Sequence, residues 1–435
     1  MAGIILHIYR GFLSRFVVFR VARYAFVLLM RLLRHIKSTS NIFNSDYKRY
    51  QLVKFKSLSL EECLFSKVIL RSRDYKTDSP KFTNKVNYNL DNTDSSFDVS
   101  AAEISVKLLN NVSILGGSFF VFLDKKVVLP EQCDFDKDTY SAEYLGLVTI
   151  NRKKGEMKST AVEKLDEYDL GVSMVGQNAF NYAHWMTEIL PKLYILNKYT
   201  AFDDYPVFVD ADLPDNMYES IHVLNKTNRD IIAVKKWEKV RIRNAVIISQ
   251  PSYEPYIPDG IIIRRTSDTV NSFSKEVFRE FSSHIQEVFS LNNRSEGKVY
   301  LTRNSGNNNL RRVENESEII NYLQSINFMI INGSSLSFSE QVEVCGSASI
   351  IVAPIGAALA NMILAKKECL VIALAPFYQD AKYHYYSNLA QILGHKLFYV
   401  LGRQEISGYH LMHRSYSIDM KDLKKVIKMA IDCEL

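Results

Sequence analysis

The sequence has few cysteines, and none of them are arranged in pairs. Its five cysteines include no Cys-x-x-Cys spacing, so they predict neither a zinc site nor a disulfide framework, and we expect a reducing compartment. The sequence also lacks a P-loop, a nucleophile motif and an acidic metal-binding cluster. These absences give no support to a phosphatase or a sulfotransferase. The cysteines are Cys63, Cys133, Cys345, Cys369 and Cys433.

The N-terminal segment has no hydrophobic run long enough to span a membrane. Within residues 12–36 the longest uncharged run is Tyr24–Met30, whereas a bilayer needs about 20 residues. On a helical wheel the arginines take one face and apolar side chains the other. This pattern predicts a helix on a membrane surface, and a basic helix docked on the protein itself is the alternative. The two faces hold Arg20, Arg23, Arg31 and Arg34, and Val17, Val21, Tyr24, Leu28, Leu32 and Ile36.

Positive charge is concentrated in the same segment. Residues 1–37 hold seven basic residues and no acidic one, while the net charge of the whole chain is +6. The net charge of residues 38–435 is therefore close to zero. A nucleic-acid-binding domain usually has a basic face, so this argues against a nucleic-acid partner. We expect a cytoplasmic protein attached peripherally to the inner face of the cell membrane through residues 1–37.

From about residue 270, predicted helices and strands alternate regularly. Such alternation predicts βαβ units, an α/β fold and a parallel doubly wound sheet, whose ligands bind beyond the carboxyl ends of the strands. Residues 72–98 are polar and predict a long surface loop. The predicted elements include strands Asp169–Val175, Val207–Asp210 and Ile350–Ala353, and helices Asn181–Asn197, Phe338–Gly346, Ala357–Leu364 and Met420–Ile431.

The first motif with chemical potential follows the strand that ends near residue 175. Asn181 is placed to cap the next helix. His184 and Glu188 are four residues apart, so they share a helical face, and a carboxylate there would raise the basicity of the imidazole. The pair predicts a general base, although a buried His–Glu hydrogen bond that only holds the helix is the alternative.

Two further motifs lie in the C-terminal half, each directly after a predicted strand. Arg303, a Gly- and Asn-rich loop, and then Arg311 and Arg312 at a helix start predict a phosphate-binding site; pairing with Glu314, Glu316 and Glu318 is the alternative. Gly356 opens a helix of small residues after Pro354. Small side chains let a ligand approach the backbone, although they also allow close packing of a helix on a sheet.

Taken in order, the three motifs resemble glycosyltransferase family 61, over about residues 165–400. The first corresponds to the family's His-Trp-x-x-Glu segment, here His184, Trp185 and Glu188. The second is similar to its Arg…Arg-Arg-x-x-Asn-Glu segment, here Arg303, Arg311, Arg312, Asn315 and Glu316. The third is similar to its Gln and Gly-Ala-x-Leu-x-Asn-Met block, here Gln341, Gly356, Ala357, Leu359, Asn361 and Met362.

The resemblance implies an inverting transfer of sugar from a nucleotide-sugar donor, without a metal cofactor, to a glycan or lipid-linked glycan acceptor in capsular or other surface polysaccharide synthesis. It implies a GT-B-like fold, with two Rossmann-like doubly wound domains facing a cleft. We expect an N-terminal helix and linker over residues 1–45, an acceptor-side domain over 46–265 and a donor domain over 266–435. The implied donor-binding residues are Arg303, Arg311, Arg312, Asn315, Glu316, Gly356, Ala357 and Asn361; Asn181 and Trp185 lie on the acceptor side, and His184 or Glu188 is the base.

The chain departs from the family pattern at one position. The family usually has a histidine before the Gly-Ala pair, where this chain has Ile355. A non-catalytic nucleotide-sugar or glycan-binding protein of the same fold is therefore the alternative. No Asp-x-Asp follows a predicted strand in the C-terminal half; the nearest match is Asp210-Ala-Asp212, in the acceptor-side domain.

Overall fold

The computed structural model describes residues 48–84, 95–129, 148–151, 154–159, 163–254, 270–291, 297–302, 311–378, 381, 383–405 and 411–432. The predicted N-terminal helix, Arg303 and the loop that follows it lie outside the described residues. Two large sheets, two small two-stranded sheets and the helices packed on them make up the described part, which confirms a mixed α/β protein.

The described strands are numbered in chain order. They are β1 (Lys48–Lys54), β2 (Cys63–Leu70), β3 (Arg73–Lys76), β4 (Lys81–Phe82), β5 (Asp98–Ala101), β6 (Ile104–Leu115), β7 (Val121–Leu123), β8 (Lys126–Leu129), β9 (Val148–Asn151), β10 (Glu156–Ser159), β11 (Glu163–Ser173), β12 (Val207–Asp210), β13 (Ile231–Val234), β14 (Lys239–Ile248), β15 (Ser252–Tyr253), β16 (Ser272–Phe273), β17 (Gly297–Thr302), β18 (Met329–Asn332), β19 (Ala348–Pro354), β20 (Leu370–Pro376), β21 (Lys396–Gln404) and β22 (Tyr416–Ser417).

The helices follow the same convention. They are α1 (Tyr182–His184), α2 (Leu190–Leu196), α3 (Asp215–Leu224), α4 (Lys275–Val288), α5 (Glu316–Ser325), α6 (Phe338–Gly346), α7 (His384–Leu393) and α8 (Met420–Ile431). A π-helical segment, Trp185–Ile189, joins α1 to α2, and a 3₁₀ helix spans Ala357–Ile363.

The first sheet is mixed rather than fully parallel. Its order is β13-β12-β11-β14-β6-β7-β8-β1-β10-β9, with β2 beside β6. Strands β13, β12, β11 and β14 are parallel, whereas β14, β6, β7 and β8 are antiparallel neighbours. The prediction of a doubly wound parallel sheet is therefore wrong for this sheet as a whole, because parallel pairing is confined to β13, β12, β11 and β14 and to the separate pair of β8 and β1. The connection from β6 to β7, through Gly116 and Gly117, is too short for the crossover that parallel strands need.

The second sheet confirms the alternation predicted for the C-terminal half. Strands β18, β17, β19, β20 and β21 are all parallel, in that order. Helices α6 and α8 have the predicted bounds. The predicted helix after Gly356 is a 3₁₀ helix instead, in which the amide of Leu359 donates to the carbonyl of Gly356 at 3.0 Å. Such tighter turns are common as short connectors.

The prediction of one long surface loop over residues 72–98 is wrong in part. Strands β3 and β4 and the start of β5 lie in this range, and β4 pairs in parallel with β21 of the second sheet. The Asn84 side chain extends this pairing, because its amide donates to the carbonyl of Leu401 and accepts from the Leu401 N–H, both at 2.9 Å. Strand pairing uses backbone groups, so a polar sequence can supply it.

The helices between the two sheets share one hydrophobic core. Buried residues of the first sheet, of helices α2, α3, α4, α6 and α7, and of the second sheet form one cluster, to which Leu193, Phe278 and Leu389 belong. Polar contacts reinforce it: the Glu219 carboxylate of α3 accepts from the N–H of Phe338, at the start of α6, at 2.7 Å. This bond ties α3, which follows a strand of the first sheet, to α6, which precedes β19 of the second.

Candidate active site

The helix of the first motif begins as the sequence predicts. The Asn181 side chain accepts a hydrogen bond from the N–H of Ala183 at 3.0 Å, which satisfies one free donor of the first turn. The helical path then widens into the π segment before returning to α-helix. Segments of this kind are rare and frequently lie at functional sites.

His184 and Glu188 face each other across this π segment. Nδ1 of His184 lies 2.9 Å from Oε1 of Glu188, so the predicted contact is confirmed. When Glu188 is ionised, Nδ1 donates this bond, and Nε2 keeps the lone pair that can accept a proton. The His184 side chain is 23% exposed and that of Glu188 10%. A substrate hydroxyl can therefore reach the imidazole more readily than the carboxylate.

Two further charged residues, which sequence reasoning missed, lie buried behind this pair. Lys192 is one helical turn beyond Glu188, and burial lowers the pKa of its ammonium to about 8, opposed by Glu188 and Asp210. Asp210, at the end of β12, accepts from the N–H of Gly176 at 2.8 Å and from that of Gly117. Burial raises the pKa of Asp210 to about 7, opposed by these amides. The four-residue spacing between Glu188 and Lys192 is the sequence signal that could have identified Lys192.

Trp185 lies in the interior of the protein. Its side chain is fully buried, and its indole Nε1–H donates to Oγ of Ser220 at 3.0 Å. The Ser220 hydroxyl in turn donates to the carbonyl of Met217 at 2.6 Å. Trp185 therefore anchors the π segment to α3 and does not reach solvent in this conformation.

The third motif lies directly against the first. Strand β19 ends at Pro354, and Gly356 and Ala357 beyond it are partly exposed. Asn361, inside the 3₁₀ helix, is buried, and its Oδ1 accepts from the hydroxyl of Tyr182 at 2.6 Å. This bond joins the helix of His184 to the small-residue segment, a contact that sequence spacing could not indicate.

The residues of the second motif that the structure describes begin at Arg311, which lies at the carboxyl end of β19. The Arg311 guanidinium donates from Nη2 to the carbonyl of Ile355 at 2.9 Å, so Arg311 lies beside the position that departs from the family pattern. Arg312 is exposed.

Asn315 and Glu316 bond to neighbouring parts of the fold. The Asn315 amide donates to the carbonyl of Ile418 at 2.8 Å and accepts from its N–H at 3.0 Å, and Glu316 accepts from the hydroxyl of Tyr300 at 2.9 Å. Both side chains thereby hold the start of α5.

Residues 182–372 match the model of a family described as Glycosyltransferase 61. The chain is a glycosyltransferase. The matched span begins with the first residue of α1 and ends within β20, so it contains the His-Trp-x-x-Glu segment, the three arginines of the second motif and the Gly-Ala block. This agreement supports assigning the glycosyltransferase to family 61. No curated protein matches its sequence significantly.

The described residues of this glycosyltransferase show three further features. They contain no group of three or more His, Cys, Asp or Glu side chains placed to hold a metal ion. No described helix combines the length and the hydrophobicity needed to cross a membrane. A groove of about 510 Å³, lined in part by Tyr194, Arg279 and His395, lies at the amino ends of β20 and β21. It is therefore at the opposite edge of the sheet from Gly356.

Proposed function

We propose that this glycosyltransferase moves a sugar from a nucleotide-sugar donor to a glycan or lipid-linked glycan acceptor, with inversion and without a metal cofactor, in surface (capsular) polysaccharide synthesis. The observation that carries the proposal is the convergence of the three motifs at the carboxyl ends of β11 and β19. Tyr182 bonds Asn361, His184 bonds Glu188, and Arg311 bonds the backbone beside Gly356. Ligands of parallel sheets bind at this edge.

The donor side of the site is proposed to be built from cations and backbone amides. Arg311, together with Arg303 and the N–H groups of Gly356 and Ala357, would neutralise the diphosphate leaving group as its bond to the sugar breaks. Fixed positive groups in a site closed to water stabilise such developing charge strongly. Arg312, which follows Arg311 in the chain, is exposed. Asn315, Glu316 and Asn361 would hold the surrounding backbone in place.

The acceptor side is proposed to be the start of the His184 helix. Nε2 of His184 would remove the proton from the acceptor hydroxyl, whose oxygen attacks the anomeric carbon from the face opposite the diphosphate. The attack inverts the configuration at that carbon. Glu188 would stabilise the imidazolium that forms, since its carboxylate already bonds Nδ1. Asn181 and Trp185 would fix the orientation of this helix.

The proposed arrangement is GT-B, with an acceptor-side domain over residues 46–265 and a donor domain over residues 266–435. Residues 1–37 are proposed to attach the protein peripherally to the inner face of the cell membrane, because arginines and apolar side chains separate on a helical wheel. Fractionation of the full chain and of a chain lacking residues 1–37 tests this attachment. Recovery of the shortened protein with membranes would contradict it.

The activity itself is tested with a panel of nucleotide sugars. Purified protein is incubated with UDP-, GDP- and CMP-linked sugars and candidate glycan acceptors, while nucleotide release and product mass are measured. Release that depends on an acceptor supports transfer and argues against the alternative, a non-catalytic nucleotide-sugar or glycan-binding protein. Binding of a nucleotide sugar without turnover would favour that alternative, which Ile355 motivates. Glycan analysis of a deletion strain identifies the acceptor.

Metal independence gives a separate expectation. The proposed site uses Arg311 and backbone amides where other transferases use a metal ion, so transfer is expected to continue in excess EDTA at an unchanged rate. Initial rates with EDTA, and with added manganese or magnesium, provide the measurement. Complete loss of transfer in EDTA, restored by either metal, would contradict the arginine-based donor site.

Changing Arg311 to alanine is expected to weaken nucleoside diphosphate binding by about ten- to a hundredfold, because one charge-assisted contact to phosphate is lost. Arg311→Lys keeps the charge but loses the planar fork, so an intermediate affinity is expected. Calorimetric titration with UDP and GDP gives the values. Arg243, which pairs with Asp169 at 2.8 Å on the first sheet, provides the control substitution. Equal affinities for the wild type and Arg311→Ala would contradict the proposed donor role.

A further inference from the structure

Phe180 is a largely exposed aromatic residue that follows a buried alanine. Its neighbour Ala179 is buried in the main hydrophobic core, whereas the much larger Phe180 is 62% exposed. Large aromatic side chains are normally the more strongly buried of such a pair. Scattered exposed apolar residues are common, so the exposure alone carries no conclusion.

The backbone around Phe180 fixes this outward position. Asn178 adopts a left-handed conformation, with φ of 58°, and its carbonyl accepts from the N–H of Asn181 at 2.8 Å. Asn181 also caps the helix that carries His184. The buried Ala179 fixes the chain before Phe180, and the hydrogen bonds of Asn181 to Asn178 and Ala183 fix the chain after it. The backbone therefore holds Phe180 in one defined, outward position.

Phe180 directly precedes Asn181, the N-cap of the helix, and most of its side chain faces solvent. An apolar residue before the N-cap often packs on the fourth helical residue, and this position is Trp185. Trp185 is fully buried, however, and its indole bonds Ser220 of α3. Within the described residues Phe180 makes no ring contact, and its side chain is left exposed.

We propose that Phe180 is a stacking surface for a sugar ring of the acceptor, a proposal that rests on the transferase function proposed above. Phe180 lies in the segment that leads from β11, which ends at Ser173, to the helix of His184, and it is four residues before His184 in the chain. The acceptor hydroxyl must be presented to the imidazole of this helix. The apolar face of a pyranose ring makes dispersion contacts with an aromatic face, and both surfaces leave water on binding. The base of the donor nucleotide would instead lie with Arg311 on the second sheet.

Binding of simple sugars tests the stacking surface without any assumption about turnover. Saturation-transfer NMR is run with methyl glucopyranoside, galactopyranoside, mannopyranoside and N-acetylglucosaminide. We expect at least one to receive saturation from the wild type and from Phe180→Trp, and to lose most of it with Phe180→Ala. Leu64→Ala is the matched control, because Leu64 is 61% exposed on β2, away from the site. An equal signal from the wild type and Phe180→Ala, or no signal from either, would overturn the proposal.

Kinetics then test whether the bound sugar is the acceptor. Phe180→Ala is expected to raise the KM for the acceptor by about tenfold, with kcat at saturating acceptor and UDP affinity unchanged. A loss of UDP affinity would assign the ring to the donor base and overturn the acceptor assignment. A large fall in thermal stability would indicate a structural role instead. Pyranoside binding through Phe180 in a protein without transferase activity would refute the proposed function but keep the sugar-binding surface.

Discussion

Replacing His184 by alanine is expected to lower the turnover number by about 10²–10⁴-fold while leaving nucleoside diphosphate binding nearly intact. General base catalysis typically contributes this much, and the variant removes the ring nitrogen that would accept the proton. The His184 side chain is partly exposed, so little packing is lost. Steady-state kinetics and calorimetric titration with UDP and GDP give both quantities.

Glu188→Gln separates orientation from charge. The amide oxygen of glutamine can still accept a hydrogen bond from Nδ1 of His184, but it no longer stabilises the imidazolium. A fall in kcat smaller than that of His184→Ala is therefore expected. If His184→Ala abolished nucleotide binding while Arg311→Ala retained it, the donor and acceptor sides would be reversed. If both variants bound nucleotide and turned over normally, the motifs would be structural.

The buried Asp210 is expected to make the stability of the protein depend on pH in an unusual direction. Burial raises its pKa to about 7, so the native state holds this proton more tightly than the unfolded chain, where aspartate titrates near pH 4. Its contribution to the free energy of unfolding is complete below about pH 4 and is lost as pH rises through 7. Asp210→Asn should remove this dependence, so the difference in unfolding free energy from the wild type should change by about 3 kcal/mol between pH 4.5 and 8.

Two features of the chain make this measurement specific. Lys192, whose pKa burial lowers to about 8, contributes mainly above that pH and adds little between 4.5 and 7. Asp212→Asn is the matched control, because Asp212 is less buried and has a left-handed φ of 64° that asparagine tolerates. Urea unfolding of the three proteins across this range gives the free energies. Parallel curves for the wild type and Asp210→Asn would contradict the raised pKa.

The elements that local sequence specifies were the predictable ones. Asn181 caps its helix as expected, His184 meets Glu188, and the bounds of β12, α6 and α8 agree with prediction. In each case the signal is a capping residue, a helical spacing or a buried apolar run, which acts over a few residues. Function could be anticipated because the order of three short motifs resembles a known family.

The features that could not be predicted from the sequence depend on contacts between residues that are far apart in the chain. The bond from Tyr182 to Asn361 joins residues far apart in the chain, and so do the bonds from Gly117 and Gly176 to Asp210. The π segment could not be recognised in the sequence, because its five residues are too few to show a change in the helical repeat of apolar side chains. The polar β4 pairs through its backbone with β21, which is more than 300 residues later.

The pairing of β4 with β21 also limits how this enzyme can be recombined with its relatives. A chimera joined near residue 266 would take its C-terminal half, which we propose binds the donor, from one parent and strand β4, an edge strand of the second sheet, from the other. The side chain of Asn84 would then have to meet a foreign backbone at the position of Leu401. Exchange of donor specificity by swapping C-terminal halves should therefore succeed best when residues 81–84 are transferred with them.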